Sequence, residues 1–310
     1  MFNIPILLIT FNRPAHTRRV IETVMRNAPA TVYVFQDGER PGNANDGKMC
    51  QAVRDVISEL TSNTGTCVHT FYSEKNYGCG PGPVAAITWF FNEVERGIIL
   101  EDDCLLDDSA FHLYEYLLDR YDSDRSVSMI TMTNVFKKWK SWKSSYFFAT
   151  NGASPMGCWA GWSRNWKSFD YHITAWKDRK TRQDLSVFFD RKEYYDFYSD
   201  LYDVLSTGNQ THMWDYQWAF ARYLAGSKTI VVSQNLMSNI GFSEGATHSS
   251  DANHRFANLP RYPLGAIVDP RNEKVDRLFN YLYFFRNNYR RKKSLFLRLK
   301  LKTIEFLFCR

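Results

Sequence analysis

The stretch Gly97-Ile98-Ile99-Leu100-Glu101-Asp102-Asp103 runs from a short apolar segment directly into three consecutive acids. Such a run predicts a buried strand that ends in a carboxylate cluster. Clustered carboxylates repel one another and resist leaving water unless a cation balances them. A hard divalent ion, Mn²⁺ or Mg²⁺, takes oxygen ligands and bridges protein carboxylate to phosphate oxygens. The competing reading is helix capping, because acids favour a helix N-terminus. Asp107-Asp108-Ser109, however, already supplies caps for a helix predicted over 110–121. The triplet is left for another task.

Upstream, apolar strand patterns alternate with helical ones. Residues 4–10 are nearly all apolar, as a buried parallel strand requires. Pro14 opens a helix to about Arg26, since proline is tolerated in a first turn. A second strand is read over 31–35, a helix over 48–60, a third strand over 66–71, a helix over 83–95 and a fourth strand over 97–100. Further on, 127–132 and 229–232 read as strands and 213–224 as a helix, while 241–254 reads as a polar loop. Alternation of this kind predicts an α/β fold, a mostly parallel central sheet flanked by helices. Ligands of such sheets gather at the carboxyl ends of the strands. That places Phe11-Asn12-Arg13, Gln36-Asp37-Gly38 and Glu101-Asp102-Asp103 at one edge.

Composition narrows the function classes. The chain has 310 residues, 44% hydrophobic and 23% charged, as in ordinary globular proteins. The net charge of +6 is uneven. Residues 286–310 carry nine Lys/Arg and one acid, so removing that +8 from +6 leaves −2 for residues 1–285. A nucleic-acid-binding body would show a basic face elsewhere, so nucleic acid is not an expected partner. Six cysteines without a CxxC pair argue against a zinc site and a disulfide framework. No signal peptide and no run of 18 apolar residues is present, so a cytoplasmic protein is expected. Aromatics reach 16%, and tryptophans crowd the middle third, where they suit either sugar faces or a core.

The acidic triplet resembles the DxD-type motif of GT-A fold glycosyltransferases, in the EDD form of the N-acetylglucosaminyltransferase I family and its bacterial relatives. Five further elements follow in the family's order. They are Phe11-Asn12-Arg13; Phe35-Gln36-Asp37-Gly38; Lys75-Asn76-Tyr77-Gly78 ahead of Trp89; Gly157–Trp162 with Trp166 and Tyr171; and Trp214-Asp215-Tyr216-Gln217-Trp218. Ser238-Asn239-Ile240-Gly241-Phe242 through Thr247-His248 closes the likeness, which spans about 4–255. The glycine-rich Gly78-Cys79-Gly80-Pro81-Gly82 departs from the pattern, and with no Gly-Lys-Ser/Thr after it, it is not a phosphate loop.

The resemblance implies a metal-dependent inverting transferase that moves a sugar from a UDP-sugar donor to a glycan hydroxyl, in bacterial surface-polysaccharide synthesis. It implies that Asp37 contacts the base and that Arg13 steadies the diphosphate. Glu101 and Asp102 would hold ribose and donor sugar, and Asp103 would bind Mn²⁺ or Mg²⁺. Residues 1–104 would form the donor half and 105–270 the acceptor half. Arg13 as a plain surface arginine and Asp37-Gly38 as a simple turn are the competing readings. Asp215 is the expected general base, against the alternative that it only caps its helix. His248, on the loop expected to close over donor, is a possible second metal ligand.

Residues 271–310 read as a basic amphipathic tail. As a helix, Leu297, Leu301, Ile304 and Phe308 share one face, although 297–302 also alternates like a strand. Basic and apolar residues together fit a helix at an anionic membrane surface, where a lipid-linked oligosaccharide acceptor would be displayed. Two rivals remain. A sugar nucleotidyltransferase normally carries a glycine-rich, lysine-bearing N-terminal loop, which Ile9-Thr10-Phe11-Asn12-Arg13-Pro14 lacks. A non-catalytic carbohydrate-binding protein would account for the tryptophans.

Overall fold

Ile6, Leu7, Leu8, Ile9 and Thr10 are all buried, which puts this strand in the middle of a sheet covered on both faces. The computed structural model describes residues 1–150, 157–209, 212–242, 254–289 and 293–310. Strands and helices alternate through the first hundred residues: β1 (Ile6–Thr10), α1 (Pro14–Arg26), β2 (Thr31–Gln36), α2 (Ala44–Thr61), β3 (Cys67–Tyr72), α3 (Pro81–Glu93) and β4 (Arg96–Glu101). Then follow β5 (Cys104–Leu106), α4 (Asp108–Arg120), β6 (Val127–Thr131), β7 (Tyr146–Ala149), β8 (Cys158–Trp162) and α5 (Ser163–Trp166). Helices α6 (Arg179–Phe188), α7 (Lys192–Leu205) and α8 (Asp215–Leu224) precede β9 (Lys228–Val232) and β10 (Met237–Asn239). Helices α9 (Arg277–Asn287) and α10 (Leu295–Phe308) end the chain.

Eight strands form one sheet in the order β3-β2-β1-β4-β8-β6-β9-β7. β2, β1 and β4 pair in parallel with β3 at the edge, and β6 pairs in parallel with β9. In this sheet β8 and β7 run against their neighbours. The expected mostly parallel α/β architecture is present. Alternation along each strand sorts the core into two faces. Ile6, Leu8, Val32, Val34, Ile98 and Leu100 pack with α1, α2 and α4. Leu7, Ile9, Phe35 and Ile99 pack on the other face against Phe90, Trp159 and Trp218.

Most predicted elements stand within a few residues of their expected bounds, and β7, α6, α7 and α9 add to them. The tryptophans are largely core: Trp139, Trp159, Trp162, Trp166, Trp176, Trp214 and Trp218 are buried, and only Trp142 among those eight is exposed. A third apolar cluster joins Trp139 and Phe147 to residues of α7, α9 and α10.

The C-terminal segment is helical, capped by the Ser294 hydroxyl, which accepts from the Leu297 N–H. Its face of Leu297, Leu301, Ile304 and Phe308 packs on the protein. Leu301 and Ile304 are buried, and each contributes roughly 1.5–3 kcal/mol, too much for that face to peel away easily. No helix among the described residues is long and apolar enough to cross a membrane.

Candidate active site

Parallel pairing aligns the carboxyl ends of β2, β1 and β4, with Thr10 opposite Gln36 and Ile9 opposite Glu101. The three segments singled out in sequence therefore meet at one edge. The residue that follows β4 is held to β1, because the Asp102 N–H donates to the Ile9 carbonyl at 3.0 Å. The β1–α1 connection is only Phe11-Asn12-Arg13, since Pro14 opens the helix at once. So short a link aims the Arg13 side chain at the acids. Arg13 Nη2 lies 2.6 Å from Asp102 Oδ1 and Nη1 lies 3.2 Å from Asp103 Oδ2.

Carboxyl groups outnumber guanidinium groups here. Asp102 and Asp103 are buried, and Asp102 Oδ2 has no hydrogen-bond partner. Burial, the charge of Asp103 and the further charges of Asp102 and Asp215 push the Glu101 pKa up, with Arg13 pulling it back. Burial likewise pushes Asp102 up, opposed by Arg13 and reinforced by Asp103. Burial works against the Arg13 charge, yet Asp102, Asp103 and Glu101 together raise its pKa. One guanidinium thus serves three carboxylates, with a fourth, Asp215, in electrostatic reach.

Asp103 is positioned from two sides. Its Oδ1 accepts from Asn239 Nδ2 at 3.1 Å, and its backbone carbonyl accepts from the Ile240 N–H at 2.8 Å. Asn239 Oδ1 in turn accepts from the Gly241 N–H at 2.8 Å. Gly241 presses so close that a Cβ there would fall 2.1 Å from Asp103 Oδ2. On the far side of the cluster the Glu101 N–H donates to the Gly157 carbonyl at 2.8 Å.

Asp37 pins the neighbouring loop. Its Oδ1 accepts from the Gly38 and Tyr77 N–H groups and its Oδ2 from the Gly78 N–H, at 2.8–3.0 Å. Burial raises its pKa, and those three donors pull it down. Gly38 touches Lys75 backbone, where a Cβ would fall 2.5 Å from the carbonyl carbon. Asn76 Nδ2 donates to the Gly38 carbonyl at 2.7 Å. Two segments distant in sequence therefore close into one wall.

Behind Arg13 stands a residue the sequence reading missed. Asp46, buried in the first turn of α2, accepts from Asn12 Nδ2 at 2.8 Å and from Arg40 Nε and Nη2 at 2.7 and 2.8 Å. The Arg40 hydrogen bonds, ahead of those from Asn12, hold its carboxyl at about 2. Asn43, whose side chain caps α2, was the available signal that the helix starts early enough to include it. Asn239 and Gly241 gave no local signal as neighbours of Asp103.

Asp215 lies in the first turn of α8, and the cap residue is Trp214, without a side-chain cap bond. Trp214 and Trp218 are core residues on either side of it. His248 and most of the 241–254 loop lie outside the described residues.

The donor set suits a hard divalent cation completed by substrate. Among the described residues no group of three or more His, Cys, Asp or Glu is arranged to hold a metal alone. Mg²⁺-type sites commonly use one or two carboxylates plus phosphate oxygens. Asp103, expected from the resemblance to bind the ion, has Oδ2 on Arg13 and Oδ1 on Asn239, and Asp102 Oδ2 is the oxygen left without a partner.

No protein-family model matches the chain. No curated protein matches it either. Among solved structures it is similar to UDP-glucose pyrophosphorylase complexed with UDP-glucose, at 10% identity over 75% of this chain and 91% of that one, TM-score 0.37. It is also similar to mannose-1-phosphate geranyltransferase from Thermus thermophilus, at 9% identity over 76% and 75%, TM-score 0.34. HddC from Yersinia pseudotuberculosis is similar at 10% identity over 53% and 78%, TM-score 0.31. None of these three is an N-acetylglucosaminyltransferase. Likenesses this weak do not decide what the chain binds or does.

Proposed function

We propose that the chain is a divalent-cation-dependent transferase acting on a nucleotide-sugar, and more finely an inverting glycosyltransferase of GT-A type. The observation that carries this reading is the buried excess of carboxylate over guanidinium at the end of β4. In this reading Asp103 ligates Mn²⁺ or Mg²⁺, with His248 as a possible second ligand. Arg13, held by Asp102, steadies the diphosphate through charge-assisted hydrogen bonds. Glu101 and Asp102 face ribose and sugar, and Asp37 lies on the base side. A bound cation supplies Lewis-acid stabilisation of the leaving diphosphate. Asp215 takes the acceptor hydroxyl's proton as C1 is attacked. Residues 1–104 form the donor half and 105–270 the acceptor half. The acceptor is a glycan, lipid-linked at the inner face of a membrane that the 271–310 segment approaches.

The second reading is a sugar nucleotidyltransferase, toward which the name UDP-glucose pyrophosphorylase of one similar structure leans. Against it stands the short β1–α1 link, Phe11-Asn12-Arg13, without glycine or lysine.

A thermal-shift panel of nucleotide-sugars with and without Mn²⁺ identifies the donor, because a ligand of the folded state raises its stability. Product analysis then separates the readings. Release of UDP with sugar attached to an acceptor supports glycosyl transfer. Release of pyrophosphate from a nucleoside triphosphate and a sugar phosphate supports nucleotidyl transfer. Oligosaccharide binding without metal-dependent nucleotide binding would refute both.

A further inference from the structure

Helix α10 has two apolar faces. The inner one is packed, as described. The outer one carries Leu295, Phe296, Leu299, Phe306 and Leu307, whose exposures run from 49% at Leu307 to 77% at Phe296. At 100° per residue these five side chains occupy one arc, opposite Leu301 and Ile304. Lys300 borders the arc on one side and Arg298 and Lys302 on the other, all three exposed. The only acid of the helix, Glu305, is tied to Arg286 of α9 through both its oxygens. No negative charge on the helix offsets that basic border.

A further exposed aromatic, outside the helix, stands near its C-terminal end. The turn holding Trp142 is bound to the last residues of the chain: the Lys140 N–H donates to the Phe308 carbonyl and the Ser141 hydroxyl to the Arg310 carbonyl. Trp142 is 55% exposed. Tryptophan, apolar in body and polar at one edge, favours the headgroup level of a bilayer.

We propose that this outer face of α10, with Trp142 beside its C-terminal end, docks flat on an anionic lipid surface. It gives a surface to the membrane attachment proposed above and rests on that part of the reading, owing nothing to the carboxylate site. A helix of 14 residues spans about 21 Å, short of the ~30 Å apolar thickness of a bilayer, so it lies in the interface. The buried inner face anchors the helix to the protein while long Lys and Arg side chains reach the headgroups. A second copy on the same face would set the basic borders against each other, which disfavours it as occupant.

The test is co-sedimentation of the full chain with phosphatidylcholine vesicles, with and without phosphatidylglycerol, at low salt. Phe296→Ser/Phe306→Ser and Lys300→Glu/Lys302→Glu change exposed side chains, and circular dichroism checks that each variant is folded. Wild type is expected on anionic vesicles and not on neutral ones. The serine pair should weaken binding more than about tenfold, from two lost aromatic contacts. The charge reversal should weaken it roughly fivefold or more per residue. Absence of wild-type binding to anionic vesicles, or wild-type-like binding by both variants, overturns the proposal. Self-association abolished by the serine pair, without vesicle binding, assigns the face to a second copy and overturns it too. UDP–Mn²⁺ calorimetry on the same samples keeps the two readings apart: vesicle binding without nucleotide binding would leave this face standing and the transferase fallen.

Discussion

Arg13 holds Asp102 at 2.6 Å, and the same guanidinium reaches Asp103 with its other terminal nitrogen. Removing one partner of a buried pair strands the other charge. Arg13 keeps 31% side-chain exposure, so solvent screens part of the loss. Arg13→Ala is expected to cost roughly 2 kcal/mol, below the figure for a fully buried pair. Mn²⁺ should restore more stability to this variant than to wild type, since the cation replaces missing positive charge. Denaturant titration with and without Mn²⁺ measures both. Unchanged stability would mean that the carboxylates are already neutral.

Gly241 makes a sharper demand on Asp103. A methyl group at 241 would fall 2.1 Å from Oδ2, so either the carboxylate or the 239–242 segment must move. Gly241→Ala should destabilise by about 1–3 kcal/mol, as overpacking does. Displacing the proposed metal ligand should also weaken UDP–Mn²⁺ binding by roughly tenfold or more. Gly265, with open space around its would-be Cβ, is the control: Gly265→Ala should bind as wild type. Equal affinity in both variants would detach Asp103 from the nucleotide site.

The first hundred residues were legible because buried parallel strands are apolar runs, as in Ile6–Thr10, and proline marks a helix start at 14, whereas the helix read from 83 begins two residues earlier, at Pro81. The carboxylate triplet was legible because it directly follows such a strand. The later helices were harder to read because their apolar stripes are aromatic and polar-tipped. In α7 the buried positions are Tyr194, Tyr198, Tyr202 and Leu205, spaced four, four and three apart among acids. β7 has only four residues and gives no usable period. The surroundings of Asp103 were illegible for another reason: Asn239 reaches it across 136 positions, and only the pairing of β10 with β5 brings them together. The outer face of α10 was hidden by its inner one, since both are apolar and only packing tells them apart.

Asp46 governs the acid limit of the loop that presents Arg13. Its carboxyl is held at about 2, below the usual range near 4, chiefly by Arg40 and then by Asn12. A depressed native value means that the unfolded state binds the proton more tightly. The stabilisation is therefore complete above about pH 4 and disappears as pH falls toward 2. Asp46→Asn should lose on the order of 1 kcal/mol near neutrality, a modest figure because Arg40 is half exposed. Its stability should fall less steeply than wild type between pH 4 and 2. Thermal melts across that window measure the difference, and parallel curves would show that Asp46 does not titrate with folding.

Asp215 tests the chemistry itself. It stands in the first turn of α8 between two core tryptophans, and its charge acts on Glu101 at the end of β4. Asp215→Asn preserves shape and hydrogen-bonding size while removing the base. The variant should melt within a few degrees of wild type and bind UDP–Mn²⁺ with similar affinity, because neither depends on proton transfer. Turnover should fall by roughly 10²–10⁴-fold, the usual worth of a positioned general base. A loss in nucleotide binding instead of turnover would move Asp215 to the donor side, as a carboxylate that helps hold the metal-bound nucleotide. Near-normal turnover with intact binding would take the proton from another group, and Glu101, whose pKa burial already raises, is the carboxylate to examine next.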